Sequence, residues 1–269
     1  MPHAVATDGA RIYYEVHGDG EPIVLIMGLG SNIYGWARTI PWLVDQGRWQ
    51  VVALDNRGVG RSDVPEGGYT IEQMADDVAA VLDAAGVDSA HVVGASLGGM
   101  VAQRFAVRHR ERVRSLVLLC TSPGGPNAER ASEEVLSSLV SRADDPANAY
   151  RANAWFLYSE RTRTEHPDRI EEDIGNRLKI PTTPQGYLGQ FMAAVSHDVW
   201  DELPTISAPT LVVHGCHDLL IPPGNGRRIA DRIPGATYVE VQAGHMMQAD
   251  ALDEVREAVG RFLDLQLAR

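Results

Sequence analysis

Ser96 lies in a five-residue turn whose residue types are those of a nucleophile elbow. Residues 94–98 are Gly-Ala-Ser-Leu-Gly, after a short apolar run at 90–93 and before a segment at 100–107 with helix-forming character. A G-x-S-x-G turn between a strand and a helix holds its serine in a strained conformation at the carboxyl end of a sheet. A side chain at either flanking glycine would clash with the neighbouring strand or helix. This context predicts a nucleophile at Ser96 instead of a plain Gly-Ser turn.

A serine hydroxyl becomes an effective nucleophile when an imidazole removes its proton and a carboxylate orients that imidazole. Asp218 follows the strand-like run 211–215, and His245 follows a second run that ends near Val241. Both residues are therefore expected at the same sheet edge as Ser96, in the chain order Ser, Asp, His that accompanies this turn. Each alone fits an ordinary turn aspartate or loop histidine. Their joint occurrence in this order predicts a catalytic triad.

The tetrahedral intermediate of acyl transfer also needs hydrogen-bond donors for its oxyanion. One donor is expected to be the N–H of Leu97, directly after the nucleophile, and the other to come from the loop after the third strand. That loop contains Gly28-Leu29-Gly30, whose glycines let the backbone turn its N–H groups toward the site. We assign the second substrate-binding donor to Leu29. A plain glycine turn would differ only in the direction of that N–H.

The composition is that of one large globular domain with a full hydrophobic core. The 269 residues are 44% hydrophobic, and 24 Lys+Arg against 36 Asp+Glu give a formal net charge of −12. This charge disfavours nucleic acid and an anionic membrane surface as partners. Because the N-terminus lacks a signal-peptide pattern and no apolar run could span a bilayer, we expect a cytoplasmic protein. Cys120 and Cys216 are expected to be buried free thiols.

Strand-like apolar runs alternate with helical patterns along most of the chain, which predicts a largely parallel sheet covered on both sides. Thr70 and Gln73 form a candidate capping box before an amphipathic helix that Gly86 ends. Residues 122–204 contain no strand pattern and several prolines, so we interpret them as a helical insertion. The strand-like runs lie at 12–16, 22–27, 51–54, 91–93, 113–119, 211–213 and 237–241.

These residues together make the chain resemble the α/β-hydrolase superfamily across nearly its whole length. Residues 55–62, Asp-Asn-Arg-Gly-Val-Gly-Arg-Ser, are similar to the D-x-R-G-x-G-x-S loop that many members carry after the fourth strand, and Gly244-His245 fits the same pattern. The resemblance implies an α/β-hydrolase fold: a mostly parallel eight-stranded sheet flanked by helices, with a helical cap inserted after strand 6. It divides the chain into a core of residues 1–121 and 205–269 and a cap of residues 122–204.

Within the superfamily, the chain is most similar to 3-oxoadipate enol-lactonases and related small esterases and lactonases. Met27-Gly28 stands where many relatives have His-Gly, a variation that resembles a subset including polyketide methylesterases. The implied activity is that of a serine hydrolase that cleaves a small-molecule ester or lactone through an acyl-enzyme, with no metal or organic cofactor. Two alternatives stay open: a cofactor-free haloperoxidase (perhydrolase) or C–C bond hydrolase with the same triad, and a ligand receptor on the same fold. A homo-oligomer is compatible with the sequence.

Two other patterns imitate known sites. Residues 28–33 follow a strand as a dinucleotide-binding fingerprint does, but isoleucine replaces its third glycine. His214, Cys216, His217 and Asp218 are metal-ligand types, but neighbours on a strand point to opposite faces and would not converge on one ion. We therefore predict neither a nucleotide cofactor nor a metal site.

Several cap residues are candidates for contacts with a substrate. The large apolar residues are expected mainly in the cap core, although they could line a pocket: Trp155, Phe156, Tyr158, Phe191 and Met192. Three arginines could bind a substrate carboxylate, but we expect them to lie on a solvent-exposed helix face. They are Arg151, Arg161 and Arg163.

Overall fold

The structure is a computed structural model that describes residues 2–140 and 145–268. Within these residues, one eight-stranded sheet has the order β1-β2-β4-β3-β5-β6-β7-β8. The β1–β2 and β2–β4 pairs are antiparallel and the other pairs are parallel, which confirms the predicted mostly parallel sheet. The strands are β1 (His3–Val5), β2 (Arg11–His17), β3 (Glu21–Ile26), β4 (Trp49–Leu54), β5 (Ala90–Ala95), β6 (Val113–Leu119), β7 (Thr210–Gly215) and β8 (Thr237–Val241).

Helices cover both faces of the sheet. In the described part of the chain they are α1 (Thr39–Val44), α2 (Ile71–Ala84), α3 (Leu97–Arg108), α4 (Glu133–Val140), α5 (Pro146–Leu157), α6 (Glu160–Glu165), α7 (Pro167–Leu178), α8 (Pro184–Ser196), α9 (Gly224–Arg232), α10 (Met247–Asp250) and α11 (Leu252–Leu267). The apolar side chains of α2, α3 and α9 pack on one face, and those of α1 and α11 pack on the other.

Alternate residues of the central strands enter two different cores. Val24 and Ile26 of β3 pack on the side of α2 and α3, whereas Ile23 and Leu25 pack on the side of α1 and α11. Successive side chains of a strand point to opposite faces, and both faces here are covered, so these strands are apolar throughout. Parallel pairing from β3 to β8 places the carboxyl ends of β3, β5, β7 and β8 at one edge of the sheet.

Helix α2 begins and ends where its sequence signals predict. Thr70 Oγ1 accepts a hydrogen bond from the Gln73 N–H at 3.1 Å, and Gln73 Oε1 accepts one from the Thr70 N–H at 3.0 Å, which completes a capping box. Gly86 follows the helix with a φ of 70°, a conformation that glycine adopts without strain. Strand β1 lies outside the predicted strand runs because three residues are too few to establish a period.

Helices α4 to α8 lie between β6 and β7 and form a layer over the core. Ala193 of α8 packs in the core cluster of α2, α3 and α9, whereas α4, α5 and α7 contribute to a separate apolar cluster. Phe156 and Tyr158 are buried in this cluster, while Trp155 is partly buried against it. Met192 is 51% exposed, so it does not share the core position that was expected for most of these residues. The layer matches the helical insertion after strand 6 that the sequence predicts.

Both cysteines are free, and Cys120 is buried as predicted. The prediction for Cys216 is wrong, because this residue begins the loop after β7 and remains partly accessible. No helix in the described ranges is long and apolar enough to cross a membrane. Those ranges also contain no group of three or more His, Cys, Asp or Glu side chains placed to hold a metal ion.

Two buried imidazoles make the stability of the fold depend on pH. Burial lowers the pKa of His91 to about 4 and that of His197 to about 3. Both groups stay neutral in the folded protein at pH 5, whereas in the unfolded chain they bind protons below about pH 6.5. Their contribution to the free energy of unfolding is therefore fully present above that pH and is lost as pH falls toward the folded pKa values.

We expect urea unfolding to show a lower free energy of unfolding at pH 5 than at pH 7, with about 1–2 kcal/mol of the difference due to His91 alone. The variant His91→Gln should reduce this difference, while His217→Gln, at an exposed position, should not. Equal pH dependence in the wild type and in His91→Gln would contradict the assignment.

Candidate active site

Ser96 forms the turn between β5 and α3 with φ 55° and ψ −119°. This backbone conformation is rare for a residue with a side chain and stores roughly 1–3 kcal/mol of strain. The turn is also too tight for side chains at its glycines. A Cβ atom at Gly94 would lie 2.2 Å from the carbonyl oxygen of Gly98, and one at Gly98 would lie 2.0 Å from that of Ile26 in β3. The residues 94–98 therefore have the geometry that the sequence predicts for a nucleophile elbow.

Asp218 and His245 meet Ser96 at the carboxyl edge of the sheet. The His245 Nδ1 and an Asp218 carboxylate oxygen are 2.8 Å apart, and the His245 Nε2 and the Ser96 Oγ are 3.0 Å apart. Because the carboxylate can only accept, Nδ1–H donates to Asp218, and Nε2 is left to accept a hydrogen bond from the serine hydroxyl. The imidazole is thus in the tautomer that a general base for Ser96 requires.

Asp218 is held as a buried carboxylate by a full set of donors. Its Oδ1 accepts hydrogen bonds from the N–H groups of Leu220 and Ile221 at 3.0 and 2.9 Å, and its Oδ2 faces His245. Burial raises its pKa, but the interactions with His245 and His214 outweigh burial, so the net shift is downward. Asp218 therefore stays ionised and can stabilise an imidazolium at His245.

His214 is a second imidazole against Asp218, and its position there was not part of the sequence prediction. Its Nε2 lies 2.8 Å from the carbonyl oxygen of Ile221 and 3.5 Å from Asp218 Oδ2. The residue sits in β7 and is fully buried. The available signal was a histidine inside an otherwise apolar strand, four residues before the carboxylate.

The two predicted oxyanion donors flank the nucleophile. Leu97 is the first residue of α3, where a backbone N–H has no partner within the helix. The Leu29 loop passes directly over the elbow, since a Cβ atom at Gly28 would lie 3.6 Å from Ser96 Oγ. Among the described residues, no acceptor takes a hydrogen bond from the N–H of Leu29 or Leu97. Both donors are therefore free to bind an oxyanion.

The loop at residues 55–62 is hydrogen-bonded to the Leu29 loop and to the residues that follow it. Asp55 accepts hydrogen bonds from the Ile33 N–H at 2.7 Å and the Arg61 N–H at 2.9 Å. The Asn56 amide donates to the carbonyl oxygen of Met27 at 2.8 Å. Asp55 thus binds backbone N–H groups of two loops, and these contacts explain the acidic residue without a nucleotide ribose.

Two side chains of the cap helices are hydrogen-bonded to the Leu29 loop. Gln190 of α8 is fully buried; its Oε1 accepts the Gly30 N–H at 2.8 Å and its Nε2 donates to the carbonyl oxygen of Arg57 at 2.8 Å. Arg177 of α7 donates to the carbonyl oxygen of Leu29. The peptide unit between Leu29 and Gly30 is therefore fixed on both of its polar groups by the cap. No periodicity or motif in the sequence predicts either contact.

We expect Gln190→Ala to lower kcat about 10- to 100-fold on a substrate of this protein, with a smaller change in KM. Removal of an oxyanion donor costs about 10²–10³ in kcat, and here the Leu29 donor is displaced instead of removed. The matched control is Gln185→Ala, an exposed glutamine on the same helix. Unchanged kcat in folded Gln190→Ala, checked by its melting temperature, would show that the loop keeps its position without the cap.

The cap arginines singled out in the sequence lie away from Ser96. Arg161 and Arg163 line an open groove of about 900 Å³ that runs past Asp218, and neither Ser96 nor His245 lines it. Arg151 pairs with the Glu171 carboxylate at 2.7 Å on the surface. All three arginines are exposed, in line with the solvated helix face favoured for them. Trp155 also lines this groove.

Comparison with known proteins gives a family for this arrangement. The family model described as alpha/beta hydrolase fold matches residues 21–252. The match covers β3 to the start of α11 and includes Ser96, Asp218 and His245.

Several proteins similar to this chain over nearly its full length have hydrolase names. One from Azorhizobium caulinodans, named as a candidate carbamate hydrolase, RutD, is 34% identical over 263 residues, which cover 97% of this chain and 98% of that protein. The enol-lactonase from Burkholderia xenovorans LB400 has a TM-score of 0.85 at 28% identity and covers 98% of this chain and 100% of its own. A thermophilic esterase from Thermogutta terrifontis has a TM-score of 0.84 at 29% identity, with 98% of each chain covered.

Proposed function

The chain belongs to the α/β-hydrolase family, and on this premise we propose that it is a serine hydrolase that cleaves a carboxylic ester or lactone of a small molecule. Ser96 is the nucleophile and His245 is the general base and acid. Asp218 orients the imidazole and stabilises the imidazolium that forms on it. The N–H groups of Leu29 and Leu97 bind the oxyanion. The reaction needs no group that these residues do not supply.

Acyl transfer proceeds in two balanced steps. His245 takes the Ser96 proton as Oγ attacks the carbonyl carbon, and it then gives that proton to the departing alcohol oxygen. The acyl group remains as an ester on Ser96. His245 next takes a proton from water, the hydroxide attacks the acyl carbon, and the proton returns to Ser96 as the carboxylic acid leaves.

The observation that carries the proposal is the continuous hydrogen-bond chain from Ser96 through His245 to Asp218, at 3.0 and 2.8 Å, on a strained elbow. A receptor for small ligands needs neither the strained φ of Ser96 nor an ionised carboxylate buried behind an imidazole. Strain of this kind persists where the surrounding structure maintains it for a function.

The named relatives act on carbonyl carbons bonded to a leaving heteroatom. A lactone, an ester and a carbamate share that carbon, and one triad with one oxyanion hole serves all three. Ester and lactone are favoured here because the nitrogen lone pair of a carbamate donates into its carbonyl group and makes that carbon less electrophilic toward Ser96. A carbamate belongs in the same substrate screen.

The test combines turnover with labelling of the nucleophile. We expect the purified protein to hydrolyse short p-nitrophenyl esters or simple lactones, and a fluorophosphonate to label Ser96 alone, as located by peptide mass spectrometry. Labelling at another serine would contradict the nucleophile. Labelling at Ser96 without turnover of any ester or lactone would retire the proposed substrate class while leaving the triad intact.

A further inference from the structure

Arg177 is a partly buried cation that no carboxylate of the described residues neutralises. It lies near the end of α7, where one Nη donates to the Leu29 carbonyl oxygen and the guanidinium carbon lies 4.4 Å from the centre of the Tyr150 ring. Its Nε–H is enclosed and, among the described residues, has no acceptor. A buried donor without an acceptor is costly, so such a group suggests a missing partner.

Three arginines of low exposure show what Arg177 lacks. Each contacts a carboxylate in a short ion pair: Arg57 with Asp77 at 2.6 Å, Arg38 with Asp173 at 2.5 Å, and Arg104 with Glu202 at 2.5 Å. Proteins rarely bury an isolated cation, because desolvation strongly disfavours it unless an anion compensates. Among the described residues, Arg177 differs from these three arginines in having no carboxylate partner.

The position of Arg177 connects it with the reaction site. Its Nη2 lies 3.2 Å from where a Cβ of Gly30 would be, next to the loop whose Leu29 N–H binds the oxyanion. Burial lowers the pKa of Arg177 to about 10, so the group is charged at neutral pH, yet the residue keeps part of its surface accessible.

We infer that Arg177 binds a carboxylate carried by the substrate, so that the protein prefers anionic esters or lactones; this inference rests on the proposed function. The planar guanidinium offers several N–H donors in a fork that matches a carboxylate. The Tyr150 ring holds the plane from one side, and Tyr187 encloses the same region, with its ring 2.8 Å from the Gly30 Cβ position. Among the described residues, Nη2 is the guanidinium nitrogen with a protein acceptor, the Leu29 carbonyl oxygen, which leaves other N–H donors for the ligand.

The experiment compares two esters of equal chain length that differ in one charge. They are p-nitrophenyl hexanoate and the p-nitrophenyl monoester of adipic acid, both followed by release of p-nitrophenol. The variants are Arg177→Met, which removes the charge, and Arg177→Lys, which keeps it without the fork. The matched control is Lys179→Met, an exposed cation two residues further along the chain.

We expect Arg177→Met to lower kcat/KM for the adipate monoester about 10- to 100-fold more than for the hexanoate, the range of a charge-assisted hydrogen bond. Arg177→Lys should recover part of that loss, and Lys179→Met should behave like the wild type on both esters. An equal loss on both esters would overturn the inference, because Arg177 would then act only through the Leu29 carbonyl. The inference would also be overturned if Arg177→Met kept the wild-type kcat/KM for the adipate monoester.

Failure of the proposed function gives a different result. In that case the wild type hydrolyses neither ester, and calorimetric titration with adipate and hexanoate decides the inference separately. Tighter binding of adipate by the wild type, lost in Arg177→Met, would support the carboxylate site. Equal or absent binding of the two acids would overturn it.

Discussion

Ser96→Ala is expected to lower kcat for ester or lactone hydrolysis by about 10⁶-fold, the scale for loss of a triad serine. The variant removes the Oγ that His245 Nε2 contacts at 3.0 Å, and it deletes a single atom at a partly accessible position. The backbone strain at φ 55° is similar for alanine, so the fold should persist. The effect should therefore be confined to the chemical step.

Turnover and melting temperature measured together test this expectation. Ser137→Ala, at an exposed position on α4, serves as a control for the loss of a hydroxyl elsewhere. The fluorophosphonate should no longer react with Ser96→Ala. Turnover within tenfold of the wild type, on a substrate that the wild type cleaves, would mean that another group attacks the carbonyl.

The elements around Ser96 could be predicted from the sequence because their signals are local. The G-x-S-x-G turn forces its own geometry through two glycines that the neighbouring backbone touches at 2.2 and 2.0 Å. Asp218 and His245 follow apolar runs that become β7 and β8, and parallel pairing delivers all three loops to one edge. Nothing beyond strand identity and chain order is needed for that inference.

The contacts of the cap could not be predicted in the same way. Gln190 reaches Gly30 across 160 residues of sequence, and Arg177 reaches Leu29 across 148. A glutamine on a helix looks the same in the sequence whether it faces solvent or an oxyanion loop, and only the packing of α7 and α8 on the core separates the two. The arginines that drew attention in the sequence, such as Arg163, are exposed, whereas the partly buried Arg177 belongs to no sequence motif.

The structure changes how the cap is understood. A cap that only selects substrates would tolerate changes without loss of chemistry. Here its helices α7 and α8 hold the peptide next to the Leu29 donor through Arg177 and Gln190. Substitutions in these helices should thus affect kcat as well as specificity, while those around Phe156 in the cap core should act mainly through stability.

Asp218→Asn is expected to lower kcat about 10⁴-fold with little change in stability. The asparagine oxygen must take the place of Oδ1, because the N–H groups of Leu220 and Ile221 donate there at 3.0 and 2.9 Å. The amide nitrogen then takes the place of Oδ2 and points a donor at His245 Nδ1, 2.8 Å away. Nδ1 has to accept, so the proton moves to Nε2, and the imidazole can no longer take the proton of Ser96.

The measurement compares kcat and the rate of fluorophosphonate labelling of Ser96 in Asp218→Asn and in His217→Ala, the exposed neighbour on the same loop. Both quantities should fall together in the first variant, since each requires a deprotonated serine, and stay unchanged in the second. The contrast with Ser96→Ala is also informative. Ser96→Ala has no nucleophile to label, whereas Asp218→Asn keeps the nucleophile and loses the base that activates it. Labelling at the wild-type rate in Asp218→Asn would therefore show that Asp218 does not set the tautomer of His245.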